Sequence, residues 1–107
     1  MRFSVQEVNQ AASGGSYVCI FDAEVEWNSG GEISVSVETV EPPDTELEYI
    51  TEAGKAIRAG AAFVLEPLDR GAAIRITRLV VNHVDFKPSR FTLYAAREFK
   101  KLVETNA

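Results

Sequence analysis

His83 and Asp85 are the pair in this sequence whose types and spacing could move a proton. Residues two apart in extended chain point the same way, and a carboxylate beside an imidazole can make a general base. No nucleophile in a motif context accompanies them, and the competing reading is a surface loop carrying an incidental pair. Asp22, Glu24 and Glu26 recur at every second position, a spacing that gathers carboxylates on one strand face and could hold a hard cation. Such a row more commonly keeps an open sheet face wet. A zinc site needs several soft or imidazole ligands, and one His and one Cys far apart do not supply them. The sequence reads as non-enzymatic, with no metal and no cofactor.

A binding chemistry is legible towards the carboxyl end. Arg90, Tyr94, Arg97 and Lys101 fall at spacings of four, three and four, one stripe of a helix. Guanidinium and phenol together can grip phosphates and stack on a base. The same stripe also fits the solvated back of an amphipathic helix.

Charge is distributed unevenly around these groups. Residues 1–54 hold eleven acidic side chains against Arg2 alone, whereas residues 55–107 hold ten basic against five acidic, for a net charge of −5. Two readings follow: a polar surface with a partner, or two halves that neutralise each other in the folded domain. A pI near 4.8 opposes indiscriminate nucleic-acid binding while leaving local basic contacts open. The 107 residues, 46% hydrophobic and 25% charged, are expected to fold as one domain, 1–107. The lone Cys19 lies in an apolar strand and reads as a buried thiol. With no apolar leader and no long apolar run, the expected location is the cytoplasm, without membrane contact.

The elements that must position these groups follow from periodicity. Phe3 to Val8 reads as a short first strand, and Ala12–Gly15 as a loop. Tyr17 to Trp27 alternates cleanly: Tyr17, Cys19, Phe21, Ala23, Val25 and Trp27 share the face opposite the carboxylates. Asn28–Gly31 reads as a hairpin turn leading into a returning strand of Ile33, Val35 and Val37. Thr45-Glu46-Leu47-Glu48 fits a capping box for a helix running to Glu66, within which Gly54 is expected to permit close approach to the sheet. Ala73 to Val84 reads as a third strand, parallel to the second, and Pro88 opens a last helix with Phe91, Ala95, Phe99 and Leu102 as its apolar stripe. The expected fold is an α+β two-layer sandwich, β-β-α-β-α, with a mixed sheet of three to four strands and both helices on one face. Connectivity then gathers Ser13–Gly15, Pro42–Asp44 and His83–Lys87 at one tip.

Three places resemble domain IV of translation elongation factor G. They are Ser13-Gly14-Gly15 before Tyr17; Glu48-Tyr49-Ile50 followed by Lys55-Ala56-Ile57; and His83-Val84-Asp85 before a helix with Phe91, Ala95, Ala96 and Phe99. The resemblance implies a left-handed crossover and a tip that contacts RNA in the ribosome. By position it nominates Ser13, Gly14, Gly15 and His83, with Asp85 shaping the loop; Lys87 is a further tip candidate, in a Phe86-Lys87-Pro88 segment that stands where the family has serines. Ser16-Tyr17 stands where the family has Arg-Gly-Gln, and no phosphate-binding Gly-Lys-Ser/Thr loop is present, so a translocase activity of this chain alone is not expected. The expected partner is RNA or a ribonucleoprotein. The alternative is a protein-interaction module in which the acidic half of one copy meets the basic half of another, and a small enzyme using the His83/Asp85 tip is the third reading.

Overall fold

A computed structural model describes residues 1–10 and 15–105. Its elements are β1 (Arg2–Asn9), β2 (Tyr17–Asn28), β3 (Ile33–Val37), β4 (Val40–Glu41), α1 (Leu47–Leu65), β5 (Gly71–Val80) and α2 (Pro88–Thr105), with a 3-10 turn at Glu66–Leu68. The sheet has five strands, more than the three to four expected from alternation, because β1 is a full eight-residue strand and β4 a two-residue one.

The order of strands across the sheet is β1-β2-β5-β3, with β4 continuing beside β5. β2 and β3 are therefore not a hairpin. β5 inserts between them, antiparallel to β2 and parallel to β3. Asn28 explains how the loop spans that gap: its side-chain amide donates to the Glu32 carbonyl, and its Oδ1 accepts from the Gly30 N–H. Gly31 takes the positive φ of 74° that closes the turn. Gly71 starts β5 directly beneath this loop, where a Cβ would stand 2.3 Å from Asn28 Oδ1 and 2.6 Å from the Glu32 backbone.

One sheet face is buried. Phe3, Val5, Cys19, Phe21, Ala23, Val25, Ile33, Ile74 and Ile76 join Ile57, Leu65, Phe91 and Phe99 of the helices in a single core. Phe99 packs edge-on against Phe3 and Trp27, and Phe91 stacks on Phe21. Both helices thus cover the same side, and the narrowest dimension of 18 Å accommodates the resulting two layers. The helices approach closely at Gly60, where a Cβ would meet the Thr92 carbonyl at 2.3 Å and Ala95 Cβ at 2.9 Å. Gly54, expected to serve close approach, does not: a Cβ there meets only Val35 Cγ1, at 4.0 Å.

Two element ends differ from expectation. Thr45 does not cap α1; its hydroxyl donates to the Pro42 carbonyl at 2.6 Å, so the helix starts at Leu47 with no side-chain cap. β5 ends at Val80 because Asn82 folds the chain away, its Oδ1 accepting from the N–H groups of Val84 and Asp85. No helix among the described residues is long and apolar enough to cross a membrane.

Candidate binding surfaces at the tip and along the last helix

The open sheet face answers the charge asymmetry first. Arg75 stands between β2 and β3, paired with Glu24 on one side and with Glu38, at 2.7 Å, on the other. Arg78 repeats the pattern, 3.9 Å from Asp22 and 2.8 Å from Glu41. Hydrogen bonds from two of its nitrogens to Glu41 raise the Arg78 pKa above its ordinary value. Arginines three apart would face opposite sides of a regular strand. A bulge places both on the open face: Asp22 pairs with Arg78 and Ala23 with Ile76, leaving Thr77 over. The carboxylate row nominated for a cation therefore holds arginines at Asp22 and Glu24, and Arg2 adds a third contact to Glu24 at 3.4 Å.

The tip is built by strand ends and loops. The Val18 N–H donates to the Asp85 carbonyl and the Val81 N–H to the Glu41 carbonyl. Gly15, the segment from Glu41 to Thr45 and the segment from Asn82 to Lys87 consequently lie at one end of the sheet. Ser13 and Gly14 lie outside the described residues. His83 is exposed and packs edge-on to Tyr49 at 4.8 Å, and Tyr49 in turn meets Phe86. No ion pair joins His83 to Asp85 among the described residues: the chain bends over residues 83–85, where Asn82 Oδ1 accepts from the Val84 and Asp85 N–H groups, so the extended conformation that the pairing assumed is not formed.

The stripe on α2 resolves into two parts. Arg90 lies over the Tyr17 ring at 4.4 Å, the Tyr17 and Tyr94 hydroxyls share a hydrogen bond of 2.8 Å, and Arg97 lies over the Tyr94 ring at 4.6 Å. The hydrogen bond with Tyr17, followed by burial, raises the Tyr94 phenol above its ordinary value. Arg97 is further bound to Glu7 at 3.8 Å and Glu98 at 3.2 Å, and Lys101 to Glu98 at 3.1 Å. Arg90 and Lys87, nearest the tip, pair with no carboxylate among the described residues. Tyr17 is the member that sequence reasoning missed. Its alternation assigned it to the core face, where it lies half-buried, and nothing local indicates a contact 77 residues away with Tyr94.

The chain matches no protein-family model, and no curated protein matches it in sequence.

Proposed function

We propose that this chain is a non-enzymatic binding module whose partner is structured RNA or a ribonucleoprotein, met at the edge formed by Tyr17, Lys87 and Arg90. The observation that carries the reading is Arg90. Its guanidinium lies over the Tyr17 ring, 4.4 Å from the ring centre, and has no described carboxylate partner. A stacked guanidinium loses little rotamer freedom on binding, and its N–H edges remain available to a phosphate. Lys87 lies three residues before it, so two cations serve one stretch of backbone. Arg97 and Lys101 already hold Glu7 and Glu98, so they contribute less. The resemblance of the tip motifs to domain IV of elongation factor G favours RNA among polyanions. The alternative, pairing of acidic and basic halves between copies, loses its main support because Asp22, Glu24, Glu38 and Glu41 already hold arginines of the same chain.

The test is a titration of ribosomes and of a structured RNA at several salt concentrations. Each lost phosphate contact lowers the salt slope by about one unit. Arg90→Gln and Lys87→Gln should each do so, Lys101→Gln should have a smaller effect, and His83→Ala should weaken binding at an unchanged slope. Absence of wild-type binding at low salt refutes the RNA reading.

A further inference from the structure

We propose a second binding site, for an acidic extended peptide, in the groove between the free edge of β3 and helix α1. The edge is defined by register. β3 pairs with β5 in parallel, from Ile33 beside Ala72 to Val37 beside Ile76. The Ala72 N–H donates to the Glu32 carbonyl and the Glu38 N–H to the Ile76 carbonyl. In a parallel strand, each residue sends its N–H and C=O to the same side, and the side alternates along the chain. The even-numbered residues therefore face β5, and Ile33, Val35 and Val37 direct theirs away from the sheet. Arg58 confirms the direction: its Nε donates to the outward Ile33 carbonyl at 3.0 Å. The outward groups of Val35 and Val37 meet no hydrogen-bonding partner among the described residues.

A groove of about 370 Å³ runs beside that edge, lined by Val35, Val37, Ile50, Gly54, Lys55 and Arg58. Gly54 keeps it open, since its missing side chain leaves the Val35 methyl uncovered. An added strand would continue the ladder through Val35 and Val37 and place every second side chain in the groove. Charge selects the occupant. Among the described residues Lys55 makes no ion pair, not even with Glu52 one turn before it, and Arg58 bonds to no group but the Ile33 carbonyl. Two cations on the helix wall suit a segment whose groove-facing side chains are apolar and then acidic. A second copy paired through β3 would bring Lys55 and Arg58 against the same cations of its mate, which disfavours self-association here.

The experiment uses a labelled decapeptide that alternates serine with valine in its first half and serine with aspartate in its second. A control peptide has lysine in place of aspartate. Fluorescence anisotropy should show the aspartate peptide binding at least about tenfold tighter than the lysine peptide, with the preference inverted by Lys55→Glu combined with Arg58→Glu. Amide hydrogen exchange at Val35 and Val37 should slow on binding. Val35→Pro should abolish binding while the β5 ladder persists, because the deleted N–H faces away from the sheet. Should Val35→Pro unfold the protein, the charge-reversed variant and the exchange data still decide. Equal binding of the two peptides, no binding of either, unchanged exchange at Val35 and Val37, or concentration-dependent dimerisation through β3 would each overturn the proposal.

Discussion

Two glycines of α1 should respond to alanine in opposite directions. At Gly60, a Cβ would stand 2.3 Å from the Thr92 carbonyl oxygen and 2.9 Å from the Ala96 nitrogen, both backbone atoms that no rotamer change can move. Ordinary carbon contacts begin at about 3.5 Å, so α1 and α2 must part by about 1 Å at their crossing. Overpacking of this kind costs about 1–3 kcal/mol. The movement also stretches the Thr92 Oγ1–Ala56 carbonyl hydrogen bond of 2.9 Å, a loss of about 1 kcal/mol. Better helix propensity returns about 1 kcal/mol, leaving Gly60→Ala destabilised by about 1–3 kcal/mol. At Gly54 the new methyl meets Val35 Cγ1 at 4.0 Å, an ordinary contact. Only the propensity gain remains, about 0.5–1 kcal/mol of stabilisation. Thermal unfolding followed by circular dichroism separates the two, since each kcal/mol moves Tm by about 4–8 °C in a domain of this size. A Gly60→Ala protein as stable as the wild type, or a shift of the same sign at both positions, would refute the packing argument.

Phe99 is fully buried against Phe3 and Trp27, and Phe99→Ala should cost about 3–5 kcal/mol in denaturant unfolding; an unchanged midpoint would contradict its place in the core. Burial, then the Glu7 carboxylate, pushes the Cys19 thiol up to about 12 from 9.0, against the pull of Arg97. As pH rises above 9 the unfolded chain ionises first, so the folded state binds more protons and stability falls towards pH 12. Cys19→Ala should remove up to about 1.4 kcal/mol per pH unit of that decline, and identical slopes for the two proteins would count against a buried thiol. In native protein at neutral pH, Cys19 should react with a disulfide reagent only as fast as the domain opens. Arg75 and Glu24 are partly exposed, so a double-mutant cycle between them should give about 0.2–1 kcal/mol; a coupling several times larger would mean that the face is shielded from water.

Local chemistry made much of this molecule legible. Alternation from Tyr17 to Trp27 and the helical spacing of Phe91, Ala95 and Phe99 identify the buried faces, because burial of one side is what period two and period 3.6 record. The tip also followed from connectivity, since strands and helices long enough to cross the domain bring Gly15, Pro42–Asp44 and His83–Lys87 to one end. The stripe on α2 was visible as spacing, but its partner Tyr17 was not, because the contact joins residues far apart in sequence. The turn at Asn82 was missed because β-branched residues continue past Val80 while one amide side chain redirects the backbone.

The amino-acid sequence by itself determined the fold class, the core residues of β2 and α2, and the division of charge into an acidic and a basic half. Only the tertiary structure decided how those halves meet. A strand with one apolar face satisfies its alternation equally well beside either neighbour, so nothing in the Asn28–Gly31 loop distinguishes a hairpin from an arch over a third strand. Insertion of β5 between β2 and β3, with its bulge at Thr77, is what puts Arg75 between Glu24 and Glu38 and Arg78 between Asp22 and Glu41. Strand order is settled by which arrangement seals the core, and that is a property of the whole sheet.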